Sequence, residues 1–195
     1  PVVKVISWRG APAILKDYRS KNVFTRSFLA PWFVRREWAI LRRLEGIPGV
    51  PKAYGALQAR ALLMEYIEGE YIGKFPPGNL PYDVYLRLTE VLKAIHGRDV
   101  VHLDLRQKKN ILVTPDMRPY IIDFTNAIHI PPESPLRPFF ASLKNVDRSG
   151  LLKMKHRYFA AEMTEEEREF LGRHHFLRRL WLFKPHKSRS KDVVW

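Results

Sequence analysis

The chain has 195 residues, 46% of them hydrophobic, and no cysteine; that is enough apolar material for one full core or two small lobes, and it excludes disulfides, thiol catalysis and cysteine-bound zinc. Lys and Arg total 34 against 20 Asp and Glu, a formal charge of +14, so a polyanionic partner is expected: a nucleotide, a nucleic acid or an anionic lipid surface. No apolar run approaches the roughly 20 residues that cross a bilayer, and no leader-like segment opens the sequence, so a soluble cytoplasmic protein is expected.

Residues 2–18, "VVKVISWRGAPAILKDY", predict two strands rich in Val and Ile around a turn at "RGAP". A helix is predicted over 31–45, with Pro31 in its first turn and Gly46 as its stop. Within it Glu37 shares a helical face with Phe33, Val34, Ile40, Leu41 and Leu44, so an inward carboxylate there requires a cation; the plain alternative is an ion pair with a neighbouring arginine. "ALQARALLMEYIEGE" predicts one or two further strands ending at Glu68 and Gly69. The next helix, "PYDVYLRLTEVLKAIHG", carries Val84, Leu88, Val91, Leu92 and Ile95 along one stripe, with His96 at its end.

Ile111 to Val113 and Tyr120 to Ile122 predict a short hairpin around "TPDMR", and the four prolines of 126–142 predict an irregular loop. A helix follows near Asn145 to Tyr158, for which Asp147 is the expected cap. Thr164 and Glu167 form a capping box that opens a last helix with Phe170, Leu171, His174, Leu177, Leu180 and Trp181 on one stripe, opposite Arg178 and Arg179. That stripe suits packing on the larger lobe, an anionic membrane surface, or nucleic acid. The closing "KPHKSRSKDVVW" has no periodicity.

The stretch that carries chemistry is "VVHLDLRQKKNILVTPDMRPYIIDF", residues 100–124. Asp104 and Asn110 precede the short hairpin and Asp123 follows it, so two carboxylates and a carboxamide stand on loops between apolar strands. Polar groups so placed must meet a cation, a hydrogen-bond network or a ligand. Phosphoryl transfer needs such parts: oxygen ligands for magnesium, a lysine on the phosphates and a carboxylate that orients the attacking hydroxyl.

"HLDLRQKKNILV" together with "YIIDFTN" resembles the catalytic and metal-binding loops of the protein-kinase-like superfamily, and in particular its small atypical members, the RIO-type kinases and the bacterial lipopolysaccharide core sugar kinases. The resemblance implies an α+β, two-lobed fold, with a small antiparallel-sheet lobe and one helix over 1–68 and a reduced, mainly helical lobe over 69–195. It implies Asp104 as catalytic base, Asn110 and Asp123 as magnesium ligands, His102 as a brace of the catalytic loop and Arg106 as a neutraliser of the transferring phosphoryl group. In "AILK" it implies Lys16 as the phosphate-binding lysine, with Glu37 as its partner and Lys4 as its rival. In "LLMEYIEG" it implies Met64 lining the adenine pocket and the backbone of Glu65 and Ile67 hydrogen-bonding the base. For Asp147 it offers a second role, bracing the catalytic loop from below.

ATP and Mg2+ would then be the cofactors, and the acceptor a hydroxyl of a lipopolysaccharide-type, lipid-linked sugar or of a protein serine or threonine, with location in the cytoplasm or at the inner face of the membrane. The alternatives are a nucleotide-binding scaffold that has lost catalysis and recruits an anionic membrane or RNA, and a phosphotransferase of the aminoglycoside or choline type. The sequence departs from the common pattern in four places. Five residues separate Asp104 from Asn110 where four are usual; Thr125 and Asn126 follow Asp123 and Phe124 in place of glycine; no alanine-proline-glutamate segment follows; and Gly10 is the only glycine before Gly46. A glycine-rich phosphate loop is therefore absent, reduced to "SWRGAP", or upstream of Pro1.

Overall fold

The computed structural model describes residues 1–18, 30–57 and 60–180, with side chains described as far as residue 173. Strand β1 (Val2–Trp8) pairs antiparallel with β2 (Ala11–Asp17) through an unbroken register from Val2 opposite Asp17 to Trp8 opposite Ala11. Their turn is Arg9 and Gly10, both at positive φ (52° and 82°), the conformation that a two-residue hairpin with the natural strand twist demands. With β3 (Ala53–Leu57) and β4 (Ala61–Glu65) these strands make one antiparallel sheet in the order β1-β2-β4-β3.

Helix α1 (Ala30–Arg43) follows the expected stripe: Val34, Glu37, Ile40 and Leu41 are buried. It ends two residues short of the predicted boundary, and Gly46 at φ 87° turns the chain away. Its second half does not stop at the small sheet. Ile40, Leu41 and Leu44 enter the same apolar cluster as Val84, Leu88 and Ile95 of α2 (Tyr82–Gly97), so one core spans both halves of the molecule. Each such aliphatic side chain stabilises the fold by about 1.5–3 kcal/mol on burial.

Beyond the small sheet the chain forms β5 (Glu70–Tyr71), α2, β6 (Val100–Val101), β7 (Ile111–Val113), β8 (Pro119–Ile121) and β9 (Ile128–His129), then α3 (Phe140–Tyr158) and α4 (Glu165–Leu180). The order β5-β7-β8 makes a second small sheet, and β6 pairs with β9. Two expectations shift here. Strand β8 begins at Pro119, because Ile111 pairs with Ile121 and the Ile122 N–H is drawn instead to the Asn110 carbonyl at 2.9 Å. The proline-rich stretch is also not wholly irregular: it contains β9 and a 3-10 turn over Arg137–Phe139. Pro138 lies at the start of that turn, where a missing N–H leaves no bond unmade. Helix α3 consequently starts at Phe140, five residues before the expected start, and Asp147 lies well inside it, where it cannot be a cap.

The capping box forms as expected. The Glu167 N–H donates to Thr164 Oγ1 at 3.2 Å and the Thr164 N–H to Glu167 Oε2 at 3.0 Å. The same Glu167 carboxylate takes Lys155 Nζ at 2.7 Å, which ties α4 to α3. Phe170 and Leu171 are half-buried, with the Arg148 guanidinium 4.6 Å from the Phe170 ring centroid. The remainder of the stripe (His174, Leu177, Leu180 and Trp181), with Arg178, Arg179 and the closing segment, lies outside the described side chains, and the membrane and nucleic-acid readings of this helix rest on them. Among the described residues no helix is long and apolar enough to cross a membrane.

Candidate active site

Lys16 projects from β2 and is 5% exposed. Its Nζ donates to Glu37 Oε1 at 2.7 Å, to Asp123 Oδ1 at 2.8 Å and to Thr125 Oγ1 at 2.8 Å. Burial pushes the ammonium pKa down, but the carboxylates of Glu37 and Asp123 outweigh it, and Lys16 stays protonated well above the ordinary lysine range. Glu37, 1% exposed on α1, also accepts from the Tyr18 hydroxyl, which lies 3.0 Å from Thr125 Oγ1. The inward carboxylate thus has its cation. Lys4 is exposed on β1, so between the two candidate lysines it is Lys16 that the strands turn toward the carboxylates.

Asp123 adopts the left-handed conformation, φ 63°, which carboxylate and amide side chains tolerate better than most. This turn aims its side chain at β2. Burial works to raise its pKa, but the Lys16 ammonium and the hydrogen bonds from Lys16 and Thr125 hold it well below the usual carboxylate range. Its side chain keeps 37% of its exposure. The next residue, Phe124, is anchored in the core, and Arg36 of α1 donates to the Ala127 carbonyl at 2.7 Å, fixing the loop from its far end.

The loop from Val101 to Asn110 is held from beneath. Asp147 is buried and receives the N–H groups of His102 at 2.8 Å and Leu103 at 2.7 Å, one on each carboxylate oxygen. His96 Nε2 lies 3.0 Å from the same carboxylate, a partner that its position at the end of α2 did not announce. Leu103 has φ 66°, a strained backbone for a leucine, and the bond to Asp147 retains it. His102 is fully buried, with Nε2 3.0 Å from the Ile122 carbonyl, Nδ1 accepting from the Asp104 N–H at 3.3 Å, and its ring edge-on to Phe124. This imidazole therefore joins the two acidic loops to each other.

The longer spacing between Asp104 and Asn110 is absorbed locally. Lys108–Asn110 form a 3-10 turn, and the Asn110 N–H bonds back to the Gln107 carbonyl at 2.9 Å. Asn110 Nδ2 then donates to the Asp104 carbonyl at 2.9 Å and to its carboxylate at 3.1 Å. Gln107 and Asn126 amides reach the same carboxylate oxygen at 2.5 and 3.4 Å. Asn110 Oδ1 is buried with no hydrogen-bond partner. A buried acceptor left unmatched costs about 1–3 kcal/mol, and a hard oxygen beside a carboxyl group is the kind of donor magnesium takes. No cluster of three or more acidic or histidine side chains suited to a metal exists among the described residues.

Met64 is half-buried in β4 beside Ile14 and Ala53. Glu65 exchanges bonds with Lys52: its N–H donates to the Lys52 carbonyl at 2.8 Å and its carboxylate accepts the Lys52 N–H at 3.0 Å. Ile67 packs with Leu112 and Ile122. Arg106, half-buried, lines a cavity against α3.

One expectation is corrected by register. Lys16 pairs with Val3 at the opposite end of the hairpin from the Arg9–Gly10 turn, and at the rise of an antiparallel strand that turn is about 20 Å away. "SWRGAP" is therefore no degenerate phosphate loop. Sequence reading also missed Tyr18, Thr125, Gln107 and Asn126. Tyr18 stands two residues beyond Lys16 at the end of β2, where strand alternation places it on the same side, whereas Thr125 lies in the 3-10 turn that follows Asp123 and no local rule points to it.

An antiparallel sheet presenting a paired lysine, and a His-x-Asp loop seated on a buried helix carboxylate, together define a protein-kinase-like fold. The model of the RIO domain matches residues 14–173, and the chain belongs to the RIO domain family. Two solved structures share the fold at 15% identity and a TM-score of 0.64: the Rio2 kinase of Chaetomium thermophilum with ADP, Mg2+ and phosphoaspartate, matched over 87% of this chain and 57% of that one, and the Rio2 kinase of the same organism, matched over 91% and 69%. This chain thus spans a little over half the length of the first. A search of curated sequences returns no match.

Proposed function

We propose that the chain is an ATP- and magnesium-dependent phosphotransferase acting on a hydroxyl group, with a nucleotide-binding lobe over 1–68 and a catalytic lobe over 69–195. The observation that carries this reading is the unmatched Asn110 Oδ1 beside Asp104, on a residue whose carbonyl accepts from the N–H of Ile122, the neighbour of the Asp123 that pairs with Lys16. Lys16, held by Glu37, receives the nucleotide phosphates, and Met64 with the backbone of Glu65 and Ile67 receives the base. Asn110 and Asp123 would hold Mg2+, which when bound offsets charge on the phosphates. Asp104 orients the acceptor hydroxyl and takes its proton as the new P–O bond forms and the bond to ADP breaks; Arg106 adds positive charge close by.

Membership of the RIO family moves the acceptor from a lipopolysaccharide-type sugar toward a protein serine or threonine. The test is ADP release from ATP, with and without magnesium, for wild type and Asp104→Asn. Magnesium-dependent release that the substitution removes while nucleotide affinity is kept supports the assignment, and equal release from both proteins sinks it. Because the Rio2 relative was solved with phosphoaspartate, label retained on this chain from γ-labelled ATP is counted in the same samples.

A further inference from the structure

A cavity of about 500 Å³ opens directly beyond the catalytic loop, between that loop and α3. Arg106, Lys108, Lys153 and Arg157 line it, with Leu105 and Met154 among its apolar lining, and no carboxylate does. The wall is close: a side chain on Gly150 of α3 would come within 3.0 Å of the Leu105 backbone. Arg106 is two residues from Asp104, so its Cα lies within about 8 Å of that residue's. We propose that this cavity is an acceptor subsite that selects a protein segment carrying acidic side chains next to the hydroxyl to be phosphorylated.

The lining supports an anion. Lys153 and Arg157 are both exposed, stand one turn apart on α3 and line the cavity together with Arg106 and Lys108, and clustered Lys and Arg donors are the groups that bind carboxylates through charge-assisted hydrogen bonds. The cavity's form favours peptide over nucleic acid. Its volume suits one or two side chains, and single-stranded nucleic acid needs open aromatic faces for stacking. Of the two rings in the lining, Tyr158 is buried with its hydroxyl on the Ile72 carbonyl, which leaves only the His156 imidazole exposed.

The inference rests on the phosphotransferase reading for the word acceptor, and its test separates the two. Full-length protein is titrated into labelled Glu-Glu-Ser-Glu-Glu peptide, its glutamine counterpart, and an oligouridylate of equal charge; magnesium-ATP binding is measured alongside. The expected result is roughly tenfold tighter binding of the acidic peptide than of the glutamine one. That preference should vanish in Lys153→Glu/Arg157→Glu, fall partway in Lys153→Ala/Arg157→Ala, and leave magnesium-ATP affinity unchanged in both. No preference in wild type, or one that survives charge reversal, overturns the subsite, as does oligouridylate that outcompetes the peptide and depends on the same two residues. Acidic preference without magnesium-ATP binding keeps the pocket and removes the phosphotransferase reading.

Discussion

Lys16 Nζ and Asp123 Oδ1 stand 2.8 Å apart across 107 residues of sequence, so the small sheet and the loop after β8 meet at one ion pair. Glu37 completes it from α1 with almost no exposure. A buried pair of this kind gives little net stability when intact but is costly to halve. Lys16→Met should therefore destabilise the protein by about 3 kcal/mol in urea unfolding, since Glu37 loses its cation. Adding Glu37→Leu should recover part of that loss, and a double variant no more stable than Lys16→Met would contradict the account.

Asp147 presents a second such relationship. It matches two backbone N–H groups at His102 and Leu103, and each left unmatched costs about 1–3 kcal/mol. Asp147→Ala should lower stability by about 3 kcal/mol and slow ADP release, while nucleotide affinity, which the proposed function assigns mainly to Lys16 and Asp123, stays near wild type. Denaturant unfolding together with calorimetric binding checks both halves.

Gly150 offers a test in which local and tertiary preferences oppose each other. Alanine in mid-helix is ordinarily favoured over glycine by about 1 kcal/mol. Here the added carbon would meet Leu105 backbone and side chain at 3.0 Å and the Arg106 nitrogen at 3.1 Å. Gly150→Ala should lower the melting temperature and slow ADP release by displacing the loop that carries Asp104. A raised melting temperature would show that the loop can move aside.

The pH dependence has a worked sign. Asp123 and Glu167 are held below their ordinary values of 3.8 and 4.5, Asp123 by Lys16 and Glu167 by Lys155 and the Thr164 N–H, in both cases against burial. Their contribution is complete above the ordinary values and is lost as pH falls through the depressed ones. Lys16 and Lys155, raised by their facing carboxylates against burial, contribute fully below the ordinary lysine value of 10.5 and lose that contribution only above it. Stability measured in urea should thus hold level from about pH 5 to 9 and fall on the acid side, with a shallower acid slope in Glu167→Gln.

Individual strands and helices were legible because they are periodic, and the α+β, two-lobed arrangement was legible through the resemblance carried by "HLDLRQKKNILV" and "YIIDFTN". The stripe of α2 and the capping box of α4 follow from local rules, and the fold match bears out the protein-kinase-like architecture. The start of α3 was not legible, because prolines read as breakers also serve in a first turn. Glu37 stood out in sequence as an apolar-face carboxylate, but the triple engagement of Lys16 with Glu37, Asp123 and Thr125 depends on chain folding over 100 residues. Likewise the extra residue before Asn110 looked like a disruption, and only the 3-10 turn reveals how it is accommodated.

The most direct measurement is calorimetric titration of ATP, with and without magnesium, into wild type, Asp123→Ala and Asn110→Ala. The account predicts binding that magnesium strengthens in wild type, and loss of the magnesium-dependent part in both variants. Binding indifferent to magnesium in wild type, or unchanged by both substitutions, would contradict it.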